Sequence, residues 1–295
     1  VLDIDICVLS QKNIRMPLSY AIKNGELMPL ERTYVSAADL AVCRGYGVFD
    51  YIDVKGGVPL FLPLYLARFR RSAEGLRLPL IWSDEDLKSM IDQLILSNQE
   101  ENCGIRLLLT GGYSEHGYAV QHPDLIMLAY ASPVYDESLY VKGVKLKSEP
   151  FLRTFPKLKS INYLYGLYMQ EEIRRQGFAY LLYHWEGQVL ESDRSNFFMI
   201  DDEDVLYTAE DDVLHGVTRH VVLEIAADVG IEVRLQAIDW RSLVHAKSAF
   251  ITNTTAKMLP VQQIDSHMLK ECPGEIFNTL RQSFMSRMMQ EKNSF

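Results

Sequence analysis

The stretch "FPKLKSINYLYGLYMQEEIRRQG", residues 155–177, sets two lysines, Lys157 and Lys159, directly ahead of an apolar and aromatic run that reads as a helix. An amine at the mouth of a segment suited to burial has two readings. In the first, Lys159 sits at a helix start with its methylene stem over Leu158 and Ile161 and its charge in water. In the second, apolar surroundings make the ammonium easier to deprotonate, and the neutral amine can form a Schiff base with a carbonyl compound. The first is the commoner outcome for a lysine in such a segment, so the choice rests on what the rest of the chain supplies.

At 295 residues the chain exceeds the ~100–200 residues of one domain, which predicts two. Apolar residues at 48% and charged residues at 23% are those of a folded globular protein. A net charge of -9 argues against a nucleic-acid binder, which needs a concentrated positive surface. The apolar runs "VPLFLPLYLA" and "DLIMLAYA" are too short and too broken to cross a membrane, and no basic segment followed by an apolar one opens the chain, so a cytoplasmic location is expected. Cys7, Cys43, Cys103 and Cys272 form no C-x-x-C pair and are expected to be reduced and buried. No H-E-x-x-H occurs, and His215 and His220 do not share a helix face, so no metal site is expected.

Alternating "DIDICVL" is followed by "MPLSYAIKNGELMPL", in which Asn24-Gly25 is a two-residue hairpin signal, and "FDYIDVKGGVPLFL" repeats the pattern around Gly56-Gly57. Leu62, Leu66, Phe69, Ala73 and Leu76 then follow helical spacing, and Ser83 opens a second helix. "CGIRLLLTGGYS" and "DLIMLAYA" return to strand character. This order predicts a two-domain α+β or α/β chain: an N-terminal α+β domain over 1–131, a linker at 132–143, and a second domain over 144–295. The second opens with the lysine segment as a helix, then strands turning at Glu186-Gly187. A helix follows, burying Val221, Val222, Ile225, Ala226 and Val229 and ending at Gly230.

Three other features carry possible chemistry. Glu191, in "GQVLESDRSNFF", puts a carboxylate into strands that are otherwise apolar, and a buried carboxylate needs a partner. Gly216-Val217-Thr218 leads into a helix whose free N–H groups and nearby hydroxyl suit a phosphate. "ITNTTAKMLPV", residues 251–261, is a second hydroxyl-rich turn after a strand. Each alone is also an ordinary strand-end acid, helix start or polar loop. Walker, G-x-S-x-G and dinucleotide-binding motifs are absent.

An amine, a carboxylate for a ring nitrogen and two phosphate-binding turns are together the parts of a pyridoxal 5'-phosphate site. From about Arg44 to Asp265 their order resembles the class IV, or fold type IV, aminotransferases, which include D-amino acid and branched-chain aminotransferases and aminodeoxychorismate lyase. The resemblance implies a D-amino acid aminotransferase-like fold and a homodimer acting on amino and keto acids, in which the site lies between domains. It implies that "LARFRRSAEGL" supplies Arg68 to the cofactor phosphate and "KSINYL" the Schiff-base Lys159. Tyr163 falls where branched-chain members hydrogen-bond the cofactor's phenolic oxygen. Glu191 is implied at the pyridine nitrogen, and Val217, Thr218, Thr254 and the adjacent Asn253 at the phosphate. The apolar run after Lys159 becomes the packing that holds it, and Lys157 an ordinary residue.

Two departures bear on substrate. Where D-amino acid enzymes carry an Arg-x-His pair, "TGGYSEHGY" has His116 and Tyr118, and "RGYGVFDYIDV" departs from the branched-chain signature at Arg44 and Asp50-Tyr51. Arg44 and Arg194 stand where the family usually has no arginine, and a planar guanidinium fork suits a substrate α-carboxylate, with Thr255 beside it. The competing reading pairs these arginines with Asp50 or Asp193. "LKSIN" and "TGGYS" look D-type, and Tyr163 looks branched-chain. The order of preference is therefore a D-amino acid aminotransferase, an L-branched-chain enzyme, then the lyase. A cofactor-binding protein without turnover is the reading from outside enzymes.

Overall fold

The computed structural model describes residues 16–293; the "DIDICVL" stretch and Cys7 lie outside the described residues. The chain forms two compact units, one of residues 16–132, 155–163 and 287–293, the other of residues 133–154 and 164–286.

The N-terminal unit is an antiparallel sheet with helices. In chain order it contains β1 (Pro17–Lys23), β2 (Glu26–Pro29), α1 (Leu40–Arg44), β3 (Gly47–Lys55), β4 (Val58–Pro59), α2 (Leu62–Gly75), α3 (Asp84–Asn98), β5 (Cys103–Thr110) and β6 (Leu125–Ala131), with strand order β2-β1-β6-β5-β3-β4. Asn24 and Gly25 both take positive φ, 52° and 89°, as do Gly56 and Gly57 at 58° and 79°, the requirement of a tight hairpin whose twist matches its strands. Ser83 caps α3 through a reciprocal pair with Asp86, and Leu87, Met90, Ile91, Leu94 and Ile95 form its buried stripe. α2 packs on β3 and buries Leu66, Phe69 and Ala73, together with the polar Arg68 and Ser72.

The C-terminal unit contains α4 (Ser138–Lys142), β7 (Val144–Pro150), α5 (Leu164–Arg175), β8 (Tyr180–Trp185), β9 (Gln188–Ser192), β10 (Asn196–Ile200), β11 (Leu206–Thr208), α6 (Val217–Asp228), β12 (Val233–Leu235), β13 (Ile238–Asp239), β14 (Ser248–Asn253), β15 (Lys257–Ile264), β16 (His267–Met268) and the first turns of α7 (Glu275–Asn293). Strands β10, β14, β15, β7, β8 and β9 lie side by side, and β9 pairs back onto β10 through Glu191 and Asn196, closing a six-stranded ring. Its core is built from Leu146, Leu182, Val189, Phe197, Met199, Ile251 and Val261. β7 runs parallel to both its neighbours, β8 and β15, and α5 makes the crossover from β7 to β8. Glu186 and Gly187 form the expected turn, with φ of 47° and 78°. Phe250 stacks on Phe198 at 4.7 Å and meets Phe277 of α7 at 5.6 Å. None of the described helices is long and apolar enough to cross a membrane.

Several sequence expectations differ from this fold. Residues 155–163 belong with the N-terminal unit, because their backbone pairs with β3. The segment expected to be a linker, 132–143, carries α4, whose Leu139 and Tyr140 pack on the core of the C-terminal unit. The helix of the lysine segment begins only at Leu164, and it leaves Leu164, Leu167 and Tyr168 exposed while burying Ile173. Leu164, Leu167 and Tyr168 of that apolar run are therefore not part of a buried packing surface. Val229 follows the end of α6 and is exposed, not part of its buried face. Of the described cysteines, all free, Cys103 is buried and Cys272 half-buried, but Cys43 is exposed.

Candidate active site

In the N-terminal unit the backbone around Lys159 is held on two sides. The Phe49 N–H donates to the Lys159 carbonyl at 3.0 Å, the Ile161 N–H donates to the Gly47 carbonyl at 3.1 Å, and Ser160 bridges Val48. From the other side, the Lys159 N–H donates to Ser72 Oγ on α2 at 3.0 Å. Leu158 lies against Gly75, where a Cβ would come within 2.6 Å of the leucine side chain. The lysine is thus mounted on a sheet edge and a helix, which restricts where its amine can reach. Its Nζ lies 4.6 Å from the centre of the Phe49 ring, and Tyr163 meets the same ring edge-on at 5.6 Å. Lys157 is exposed.

Arg68 is buried on α2 and held by Asp50 of β3: Nε donates to Oδ2 at 2.9 Å and Nη2 to Oδ1 at 2.6 Å. Burial works to lower the guanidinium pKa, but the charge and hydrogen bonds of Asp50, with smaller contributions from Tyr65 and Tyr163, together outweigh it and leave the group above its ordinary value. A bidentate pair takes one edge of the fork, so the remaining N–H groups keep a fixed direction. Arg44 is exposed at the end of α1, ahead of Gly45 in the left-handed conformation.

In the C-terminal unit Glu191 is buried and accepts from side chains and backbone alike. Arg153 Nε reaches Oε1 at 2.8 Å, while the Leu214 N–H and Asn196 Nδ2 reach Oε2 at 3.1 and 3.4 Å. Such a donor set favours the ionised carboxylate. α6 starts at Val217, with Gly216 as its N-cap and no side chain capping it, so the N–H groups of Val217 and Thr218 lie in the first turn, where a helix has no internal acceptors. Thr218 is therefore inside the helix and not before it.

Asn253 turns its side chain to its own loop: Oδ1 accepts from the N–H groups of Thr255 and Ala256 at 3.0 and 2.7 Å, and Nδ2 donates to Ser195 Oγ at 3.0 Å. It shapes the turn that carries Thr254 and Thr255. Thr255 Oγ1 also lies 2.6 Å from the Tyr135 hydroxyl. Arg194 Nε donates to Asp193 at 3.0 Å and its guanidinium lies 5.2 Å from the Tyr180 ring centre, which realises the alternative pairing with Asp193.

Ser72, Arg153 and Asn196 are not singled out by the sequence, and Asp50 enters there as a departure from the branched-chain signature and a partner for a different arginine. Asp50 and Arg153 nevertheless have a legible signal, since buried charges at Arg68 and Glu191 require opposite charges. By residue type, the N-terminal unit offers a positioned amine and a buried guanidinium, and the C-terminal unit a hydrogen-bonded carboxylate and a helix start with no side-chain cap, the kinds of group that pyridoxal phosphate calls for. Among the described residues no group of three or more acidic, His or Cys side chains could hold a metal.

The family model for class IV amino-transferases matches residues 47–264. D-alanine aminotransferase of Bacillus licheniformis is 26% identical over 277 residues, covering 91% of this chain and 96% of its own length. Aminodeoxychorismate lyase of Bacillus subtilis is 27% identical over 268 residues, covering 88% and 91%. The branched-chain amino acid aminotransferase of Escherichia coli superposes with a TM-score of 0.86 at 26% identity, covering 93% of this chain and 96% of that one. A further branched-chain amino acid aminotransferase, solved with pyridoxamine 5'-phosphate, superposes with the same TM-score of 0.86. The matched region runs through Lys159, Glu191 and the start of α6, and the chain belongs to the class IV aminotransferases, which depend on pyridoxal phosphate.

Proposed function

We propose that this transaminase moves an amino group between a D-amino acid and a 2-keto acid, with Lys159 as its catalytic residue. The observation that carries the catalytic assignment is the backbone mounting of Lys159 between β3 and Ser72. Pyridoxal phosphate, when bound, supplies an electron-withdrawing ring that stabilises negative charge developing at the substrate Cα. Lys159 would hold the cofactor through its aldehyde carbon, and its Nζ amine is the group suited to carry the substrate Cα proton. Glu191 would face the ring nitrogen and favour its protonated form, and Tyr163 would hydrogen-bond the phenolic oxygen. Arg68, Val217, Thr218 and Thr254 would hold the phosphate, with Asn253 shaping the last of these turns.

The preference for D-amino acids rests on "LKSIN", on the "TGGYS" turn and on the likeness to D-alanine aminotransferase. The L-branched-chain reading is favoured by Tyr163 and by the likeness to the Escherichia coli structure. Arg44 and Arg194 are proposed to take the substrate α-carboxylate, with Thr255 beside them, in a homodimer. The test is the absorption of the yellow holoenzyme during addition of D-alanine, D-glutamate or L-leucine. Bleaching by the D-amino acids is expected, and bleaching by leucine alone would reverse the assignment. An Arg194→Ala variant with an unchanged KM for amino acids would remove Arg194 from the carboxylate site.

A further inference from the structure

Asn196 is buried at the start of β10, where it pairs with Glu191 at the bridge closing the ring. Its Nδ2 donates to the Leu214 carbonyl at 2.6 Å and to Glu191 Oε2 at 3.4 Å, and the Leu214 N–H donates to the same Oε2 at 3.1 Å. Glu191, Asn196 and the residues leading into α6 thus form a closed circuit of hydrogen bonds. Gly216 adds an independent constraint. Its φ of -66° and ψ of 142° are open to any residue, yet a Cβ there would lie 2.2 Å from Asn196 Oδ1. The asparagine side chain, and not the backbone conformation, is what requires glycine at the cap.

We infer that Asn196 is a positioning residue that fixes the distance between the Glu191 carboxylate and the N-terminus of α6. The inference rests on the reading above, in which these two groups hold the ring nitrogen and the phosphate of one cofactor. A rigid ligand held at both ends binds well only when the anchors match its length, so a shift of α6 against Glu191 weakens one contact or the other. Asn196 is assigned to neither end of the cofactor and would act through Glu191 and the start of α6.

Titration of the apoenzyme with pyridoxal phosphate, followed by absorbance, tests this with wild type, E191A, N196A, G216A and the N196A/G216A double variant. N196A is expected to raise the cofactor Kd about tenfold, the scale of one lost hydrogen bond. G216A is expected to raise it at least as much. The double variant is expected to lie within about threefold of N196A, because the added methyl then occupies vacated space. Multiplying effects in the double variant, or an unchanged Kd in N196A while E191A is weakened, would overturn the inference and leave the cofactor reading standing. An unchanged Kd in E191A would overturn the cofactor reading of Glu191 and the inference with it. If N196A does not fold, N196D keeps the shape and removes the donor; an unchanged Kd there overturns the inference equally.

Discussion

Asp50→Ala would leave the Arg68 guanidinium buried without its bidentate partner, since the two side chains, Arg68 and Asp50, are only 5% and 0% exposed. Breaking a buried pair by removing one member costs about 3–5 kcal/mol, because the remaining charge is uncompensated. At about 2–4 °C per kcal/mol for a unit of this size, the melting midpoint of the apoprotein should fall by roughly 6–20 °C. Differential scanning fluorimetry measures this directly. The same experiment with added pyridoxal phosphate tests the role of Arg68: the phosphate would replace the missing negative charge, so the cofactor should raise the midpoint more in the variant than in wild type. A midpoint within about 2 °C of wild type would refute the energetic reasoning about the pair. A large fall with no added gain from the cofactor would refute Arg68 as a phosphate ligand.

Glu191→Gln should lower turnover about a hundredfold, the scale of losing one preorganised electrostatic contact, and Arg153→Gln in the same chain should restore part of the lost stability by removing the guanidinium that faced the Glu191 charge; kcat and melting midpoints check both. Burial pushes the Cys103 thiol up to about 12, so site-resolved mass spectrometry should find exposed Cys43 alkylated at neutral pH while Cys103 stays unmodified until unfolding. Burial works to raise the Asp265 carboxyl, but hydrogen bonds from Lys147 and Ser148 outweigh it and leave it below an ordinary aspartate. Its folded pKa being the lower one, Asp265 contributes stability above the ordinary carboxylate range and loses it as pH falls through the depressed value. Asp265→Asn should therefore be less stable at neutral pH, with the difference closing in acid, as chemical denaturation at several pH values would show.

Features that depend on a few adjacent residues can be read from the chain directly. Asn24-Gly25, Gly56-Gly57 and Glu186-Gly187 are legible as turns because positive φ is a local demand, and Ser83 is legible as a helix start because its capping partner is three residues away. The proposed site is legible as an ordered set of residue types, Lys159 and Glu191 among them. The partners of those residues come only from the folded chain. Asp50 meets Arg68 across 18 residues and Arg153 meets Glu191 across 38, and neither pairing follows from spacing because each depends on how strands and helices pack. Lys159, likewise, has its backbone held by β3 and Ser72, partners far along the chain that only the packing of strand and helix brings to it.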